Sequence, residues 1–380
     1  NTSHNYRENI TDIILSLLNK LYVYYANIFQ GLLGSVNNHF NKKIITSWLE
    51  DVPLMMLTKK IVHGDDSFIL GETERLFQHC PHFYIPGKGL DKRELFNNIT
   101  LDTVTYFLST LTWINTWLVQ LRKEVEPSST KPEDLDADSL RGNWSFFEAA
   151  DFEKVERLGN LKLSLAGESL TKFNELFEKF ESLETKLLTC LRYDVRARSI
   201  YYISKVFETS KWDPEVASIE LNPNISTLTS ELSMIENNLR QRIPKSQEDV
   251  VFRGISVMGN HIFIAGSQAI SILNEYGIKK LLRNVNVLQQ TYRGISGEPE
   301  KVDMSKTIKY FGLCSLNENT LIDQYNENQL SEYTYEEVKN VLRLQFSEEL
   351  RRQMKRQSGS RVMSMSANKR YTDALKKLKK

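Results

Sequence analysis

Three side chains that could bind a metal ion lie within four positions, at His79, Cys80 and His82. Structural zinc sites usually draw four ligands, commonly from two paired clusters of histidine or cysteine. The sequence offers no second pair that would complete this one, and Pro81 between the candidate ligands favours a loop. We therefore predict no metal site in this chain.

Two further positions could belong to a nucleotide-binding or catalytic site. Gly87-Lys88-Gly89 lacks the spacing of a Walker motif and a preceding strand, so it predicts a turn. His261 could act as a base, but no motif ties a nucleophile or an acid to it. A lone histidine on an apolar helix is more often a hydrogen-bonded core residue. We expect no catalytic residue, no cofactor and no small-molecule substrate, so the chain is predicted not to be an enzyme.

Arg192, Arg196 and Arg198 flank Asp194 within seven residues. These arginines could bind an acidic partner. They could equally pair with carboxylates of neighbouring helices, which is how helical bundles satisfy buried charge. Internal pairing is the favoured interpretation, and substitution would then unfold the protein before it weakened any binding.

The formal net charge of +1 hides a basic end of the chain. From Arg351 to Lys380 there are eleven Lys or Arg residues and one acidic residue, Asp373. Basic residues near an anionic bilayer attract it, so this tail is a candidate for lipid contact. A solvated tail that keeps the protein soluble is the favoured alternative. The candidate lipid contacts are Lys376, Lys377, Lys379 and Lys380.

The cysteines Cys80, Cys190 and Cys314 are odd in number and widely spaced, which is typical of reduced thiols and predicts no disulfide framework. A length of 380 residues predicts two or three helical bundles rather than one core. Because the sequence begins at Asn1, without methionine, we treat it as a piece of a longer protein.

The longest helical pattern covers residues 169–210 and positions the arginines. Its apolar residues recur at steps of three and four, which places them on one stripe that neighbouring helices must cover. The stripe consists of Leu170, Phe173, Leu176, Phe177, Phe180, Leu183, Leu187, Leu191 and Val195. The opposite face is predicted to be solvated and carries Lys172, Glu175, Lys179, Glu181, Glu184 and Lys186.

Other segments also show helical periodicity. Residues 103–121 carry no formal charge, but eight of these nineteen residues are polar, which predicts a helix buried among helices rather than a membrane span. Further helices are predicted at 10–33, at 44–49 before Pro53, shortly after Asp213-Pro214, at 225–243, at 255–274, and from the capping boxes that begin at Ser145 and Thr334.

Paired strand signals are missing, so the predicted fold class is all-α. The predicted division is a first bundle at 1–125, a linker at 126–143, a central bundle at 144–300, and C-terminal helices with a basic tail at 301–380.

The segments Cys190–Ile203 and Gly277–Gln290, with Gly-Ile-Lys-Lys followed by Val-Leu-Gln-Gln in the second, resemble the Sec-eight subunits of the exocyst. The resemblance implies an elongated rod of stacked helical bundles and a non-enzymatic scaffold that tethers secretory vesicles to the plasma membrane before fusion in exocytosis. It implies the other exocyst subunits as partners, indirect contact with the plasma membrane, no nucleic acid, and a cytoplasmic location that is peripheral at sites of secretion. The alternative is a helical-repeat adaptor that binds acidic membrane or nucleic acid through the basic tail.

Overall fold

The computed structural model describes residues 2–34, 66–79, 98–123, 167–356 and 364–378. These residues form α-helices and two short 3-10 helices, and none of them forms a β-strand. The helices are α1 (Thr2–Gly34), α2 (Asp66–His79), α3 (Asn98–Lys123), α4 (Glu168–Thr209), α5 (Pro223–Arg240), α6 (Lys245–Phe252), α7 (Ile255–Gly266), α8 (Glu275–Ile295), α9 (Ser305–Leu313), α10 (Glu318–Asn326), α11 (Tyr335–Arg356) and α12 (Ser364–Lys377). The predicted all-α class is confirmed for this part of the chain.

The chain divides into two compact units, each assembled from segments that are distant in sequence. The first unit draws its described residues from Asn1–Phe68, Glu94–Val195 and Ile235–Arg253, and the second draws them from Ile69–Arg93, Arg196–Met234 and Gly254–Lys380. The predicted rod and the predicted division into consecutive bundles stay predictions.

Several predicted features lie outside the described residues. They are the helix at 44–49, the linker at 126–143, the capping box at Ser145, the turn at Gly87–Gly89, and the candidate ligands Cys80 and His82.

The first unit forms around the apolar stripe of α4. Phe180 has no exposed surface, and the ring of Tyr22 on α1 meets it edge-on at 5.6 Å between centroids. Tyr25, also on α1, stacks on Phe107 of α3 at 5.3 Å. Helix α1 therefore packs against both α3 and α4, as the predicted buried stripe requires.

The predicted solvated face of α4 holds only for its first half. Lys172, Glu175 and Lys179 are exposed, but Glu181 and Lys186 are half-buried and Glu184 is buried. From Leu187 to Ile200 every residue of the helix is buried. The prediction that Glu184 is solvated was wrong, because side chains of α3 and α6 cover it and hydrogen-bond to its carboxylate.

The uncharged segment 103–121 forms the middle of α3. Several of its threonines donate to carbonyls of the preceding turn, for example Thr116 Oγ1 to Thr112 O at 2.8 Å. Thr112 and Asn115 also contact polar side chains of other helices in the first unit. The predicted buried helix is confirmed, and no helix among the described residues is both long and apolar enough to cross a membrane.

Asp213-Pro214 does not begin a helix, so that prediction was wrong. Residues 210–222 form a non-helical connection between α4 and α5. The carbonyl oxygen of Trp212 accepts from the backbone N–H of Asn274 at 3.2 Å, and that of Pro214 accepts from Asn274 Nδ2 at 2.7 Å. A helix would point these carbonyls along its own axis, so contacts with the start of α8 override the local capping signal.

The predicted helix at 255–274 is also shorter than expected, because α7 ends at Gly266 and a 3-10 helix covers Ser267–Ala269. Asn274 is the N-cap residue of α8, and its side chain accepts from the N–H of Gly277 at 2.8 Å. The whole run lacks charged residues, so charge did not show where the helix ends.

The capping box predicted at Thr334 is confirmed at the start of α11. The N–H of Thr334 donates to Glu337 Oε2 at 2.7 Å, and the N–H of Glu337 donates to Thr334 Oγ1 at 3.3 Å. Two backbone donors at the helix start are thereby satisfied reciprocally.

Substitution of Gly277 tests how closely α8 packs against residues 210–222, the connection between α4 and α5. A Cβ at position 277 would overlap the carbonyl oxygen of Trp212, whereas a Cβ at Gly294 in the same helix would meet nothing within 4 Å. Alanine normally stabilises a helix relative to glycine, but overpacking costs about 1–3 kcal/mol. Gly277→Ala should therefore lower the thermal midpoint measured by circular dichroism, and Gly294→Ala should leave it unchanged or raise it. A rise for Gly277→Ala would contradict the packing of this connection.

Candidate functional site

The arginine row of α4, which comprises Arg192, Arg196 and Arg198, lies inside the protein rather than on its surface. No more than 1% of each residue is exposed, and Asp194 between them is equally buried. An acidic partner could not reach these guanidinium groups without unfolding the units around them.

Arg192 satisfies the end of a short helix in the first unit. Its Nη1 donates to the carbonyl oxygens of Val250 at 2.6 Å and Arg253 at 2.9 Å, where α6 ends. The last carbonyls of a helix have no partner within the helix, and a positive charge there is favourable. Arg192 thus joins α4 to the C-terminal end of α6.

Arg196 and Arg198 pair with carboxylates in the second unit. Arg196 Nη2 lies 3.3 Å from Glu72 Oε2 of α2, and both side chains are at least 96% buried. Arg198 Nη1 lies 2.6 Å from Glu231 Oε2 of α5, whose other oxygen accepts from the hydroxyl of Tyr202 at 2.5 Å. Internal pairing of the arginine row is confirmed, with the difference that Arg192 pairs with carbonyls.

Glu184 is the buried functional group that the sequence prediction missed. Its Oε1 accepts from Thr112 Oγ1 at 2.6 Å and from Gln247 Nε2 at 2.7 Å, and its Oε2 accepts from Asn115 Nδ2 at 2.5 Å. Burial raises the pKa of this carboxyl above its ordinary value, while the three hydrogen bonds oppose the rise. Glu184 therefore links α3, α4 and α6 from within.

One signal in the sequence could have indicated the burial of Glu184. Leu187 and Leu188 are adjacent apolar residues, and Cys190 follows, so the apolar stripe already widens one turn after Glu184. A stripe that widens predicts a helix with neighbours on several sides.

The remaining described candidates for chemistry are buried or half-buried, and their pKa values are shifted in directions that disfavour reactivity. Burial lowers the pKa of His261, which favours the neutral ring. Burial raises the pKa of both Cys190 and Cys314 to about 12, which keeps these free thiols protonated. Among the described residues no three His, Cys, Asp or Glu side chains are grouped so that they could hold a metal ion.

Carboxylates gather in the hairpin of α5 and α6. Glu248 of α6 is 7% exposed and lies near Glu236 of α5, which is 5% exposed and pairs with Arg240. Burial and then the charge of Glu236 raise the pKa of Glu248 to about 7, while Arg240 and Lys245 oppose the rise. Glu248 thus titrates within the physiological range.

The basic C-terminal helix α12 docks on the second unit through apolar residues. Ala374 and Leu378 are at most 5% exposed, and the ring of Tyr371 lies 5.7 Å from that of Phe346 on α11. Arg370 bridges two helices, because it pairs with Glu318 of α10 at 2.7 Å and with Glu349 of α11 at 3.1 Å.

The candidate lipid-contacting lysines are only partly described. Lys376 and Lys377 are exposed on α12, and Lys376 Nζ lies 3.6 Å from Asp373 Oδ1. Lys379 and Lys380 lie outside the described residues. The favoured interpretation of a solvated tail and the possibility of lipid contact by these four lysines both stay predictions.

Helix α1 is apolar on more than the side that packs against α3 and α4. The apolar residues at helical spacing in the predicted helix 10–33 include Ile10, Ile13 and Leu17, which places them on a predicted buried face. Ile13 and Leu17 are each 59% exposed and Ile10 is 36% exposed, so the helix carries apolar residues over a wider arc than its neighbours cover and that prediction was wrong.

No family model matches the chain. The chain is similar to the protein named Exocyst complex component 4 of Homo sapiens, with 26% identity over 140 residues, which are 36% of this chain and 14% of that protein. The protein of the same name from Mus musculus is 24% identical over 155 residues, which are 40% of this chain and 16% of that protein. The probable exocyst complex component sec8 of Neurospora crassa is 21% identical over 168 residues, which are 43% of this chain and 15% of that protein.

These relatives confirm the resemblance to the Sec-eight subunits that the sequence motifs indicated. The chain matches 14–16% of the length of these curated relatives.

The buried position of the arginine row gives a stability prediction. Arg198→Ala leaves the carboxylate of Glu231 without its cation, and removing one partner of a buried ion pair costs about 3 kcal/mol. The thermal midpoint and the denaturant midpoint should both fall clearly. Lys279→Ala, which removes an exposed pair with Glu275, should leave both unchanged within error. Equal effects of the two substitutions would contradict a structural role for Arg198.

Glu248 gives a prediction of pH dependence. Its pKa is about 7 in the folded protein and 4.5 ordinarily, so the folded state binds more protons between these values and its stability decreases as pH rises from 5 to 8. Glu248→Gln removes this dependence, and it should raise the stability at pH 8 by about 2 kcal/mol while changing little at pH 5. Chemical denaturation of both proteins at each pH measures the difference. A variant with the same pH profile as the parent would show that Glu248 titrates normally.

Proposed function

We propose that this chain, which resembles the Sec-eight subunits over 36–43% of its length, is a non-enzymatic scaffold of the exocyst. In this role it helps tether secretory vesicles to the plasma membrane before fusion in exocytosis. The observation that carries the proposal is the agreement of three curated relatives, each named as an exocyst component. The proposed partners are the other exocyst subunits, and the proposed location is cytoplasmic and peripheral at sites of secretion.

The contacts between helices inside each unit support the proposed scaffold role. The groups that could carry chemistry hold helices together instead: Glu184 joins three helices of the first unit, and Arg198 joins α4 to α5 in the second. Internal bonds of this kind favour one fixed arrangement of the helices within each unit. A fixed unit can present several surfaces at once, and linked contacts raise avidity without catalysis.

Affinity purification tests the proposal. The chain would be expressed with a tag in cells that contain an exocyst, and the bound proteins identified by mass spectrometry after mild cross-linking. We expect several other exocyst subunits to be enriched over a tag-only control. Recovery of nucleic-acid-binding proteins without exocyst subunits, or of neither, would contradict the proposal.

The basic tail gives a separate prediction about membrane contact. We propose that Lys376, Lys377, Lys379 and Lys380 are solvated and that the chain does not bind anionic membranes at physiological salt. Each lysine near an anionic bilayer can contribute about 1 kcal/mol, so some binding at low salt is expected to disappear as salt is raised. Liposome co-sedimentation over a salt series measures this.

The control for the liposome experiment follows from the docking of α12. Truncation would remove the buried residues Ala374 and Leu378, so the four lysines are better replaced together by glutamine, which leaves the docked face intact. Binding of the parent at physiological salt that this variant loses would show that the tail contacts lipid.

A further inference from the structure

Helix α1 carries two apolar seams that follow the same heptad spacing and differ by one residue in register. The inner seam faces the first unit and consists of Thr11, Leu15, Leu18, Tyr22, Tyr25 and Phe29. The outer seam consists of Ile10, Ile14, Leu17, Leu21, Tyr24 and Ile28. Both follow alternating steps of four and three, the spacing that keeps a second helix alongside the first over several turns.

The inner seam shows what such a pattern does in this protein. Leu15 and Phe29 are at most 4% exposed. Tyr22 meets Phe180 of α4, and Tyr25 stacks on Phe107 of α3. Helices of the same unit therefore cover most of the inner seam.

The outer seam is exposed or half-buried along its length. Leu17 is 59% exposed and Tyr24 is 61% exposed, and Ile10 is 36% exposed. Ile14, Leu21 and Ile28 are half-buried, which leaves part of each side chain accessible. Ile13, beside the seam, is 59% exposed. A row of apolar side chains that are exposed or half-exposed along one helix marks an interaction surface.

The spacing of the outer seam identifies a helix as the kind of partner. A helix that packs at a shallow angle inserts its side chains between residues separated by three and four positions. The outer seam provides this arrangement from Ile10 to Ile28, through nineteen residues.

The charges on α1 indicate what flanks the partner helix must carry. From Asn9 to Gly34 the only charged residues are Asp12 and Lys20. Asp12 lines a groove together with Lys172 of α4, on the side of the inner seam. Lys20 is exposed and stands beside the outer seam. A partner helix placed on this seam gains an ion pair if the residue facing Lys20 is acidic.

Self-pairing of two α1 helices does not provide that acid. In an antiparallel pair centred on this region the two Lys20 side chains approach each other, and like charges disfavour the contact. In a parallel pair the flank of the second copy that faces Lys20 contains Tyr25, which is occupied by Phe107. The charge pattern therefore favours a different protein over a second copy of this chain.

We propose that the outer seam of α1 binds one amphipathic helix of a partner protein, with aliphatic residues at its heptad core positions and an acidic flank facing Lys20. This surface belongs to the first unit, and the inference does not depend on which complex the chain joins.

Designed helical peptides test the proposal directly. Two fluorescent peptides of 24 residues would carry leucine at every heptad core position and either glutamate or lysine on both flanks, and they would be used below their own self-association concentration. Fluorescence anisotropy with the full chain should show binding of the glutamate-flanked peptide at least threefold tighter than that of the lysine-flanked peptide. Lys20→Glu should reverse this preference. Equal binding of both peptides, or none, would overturn the proposal.

Matched variants locate the contact. Leu17→Glu places a charge in the outer seam and should weaken peptide binding at least tenfold. Gln30→Glu places the same charge on an exposed position of α1 away from the seam and should leave binding within twofold of the parent. Circular dichroism of both variants should match the parent, because neither site is buried. Peptide binding that Leu17→Glu leaves unchanged would overturn the assignment.

Two further measurements distinguish the other occupants of the seam. If sedimentation shows a dimer of the free chain that Leu17→Glu dissociates, a second copy occupies the seam and the proposal is wrong. If the thiol of Leu17→Cys resists labelling in the folded free chain, with sites identified by mass spectrometry, another part of this chain covers the seam and the proposal is likewise wrong. A monomer with a reactive thiol at position 17 supports an open seam.

Discussion

The burial of α4 on every side from Leu187 to Ile200 is the constraint on which the described structure depends. A helix in that position cannot leave a polar side chain to water, so each one must find its hydrogen bonds inside the protein. Arg192 takes carbonyls at the end of α6, and Arg198 takes the carboxylate of Glu231. These hydrogen bonds need matching donors and acceptors, so they determine which helices can pack beside α4. Apolar contacts alone would accept several arrangements.

A second arginine solves the same problem for another helix end. Arg343 of α11 donates to the carbonyl oxygens of Ser267 at 3.2 Å and Ile270 at 2.8 Å, just beyond α7, and to Asn340 Oδ1 at 2.9 Å. In each unit a long helix thus supplies a guanidinium that satisfies carbonyls where a shorter helix ends. Guanidinium groups suit this task because they offer several donors in one plane and remain charged when buried. These buried and half-buried arginines form hydrogen bonds and ion pairs inside the protein, so they are not available to bind a partner.

The sequence predicted the elements whose signals are local. The period of α4, the uncharged length of α3 and the reciprocal capping box of Thr334 and Glu337 each depend on residues a few positions apart, and all three are confirmed. The wrong predictions depended on contacts with distant parts of the chain. Periodicity shows which residues lie on one face but not how many neighbours cover the helix, so Glu184 was placed in water. The capping signal at Asp213-Pro214 failed because Asn274, sixty or more residues later, uses the carbonyls of Trp212 and Pro214.

The two seams of α1 show why an exposed seam can serve a scaffold better than an exposed charge cluster. Aliphatic side chains in heptad spacing supply affinity through apolar burial, but they would accept many amphipathic helices. Discrimination must then come from the few polar positions beside the seam, and Lys20 is the charged residue among them in the nineteen residues from Ile10 to Ile28. A single lysine beside a long apolar seam repels a basic helix. Its ion pair with an acidic helix stays partly solvated and changes the affinity little, so the charge mainly sets specificity. Specificity and affinity on this surface are thus carried by different residues.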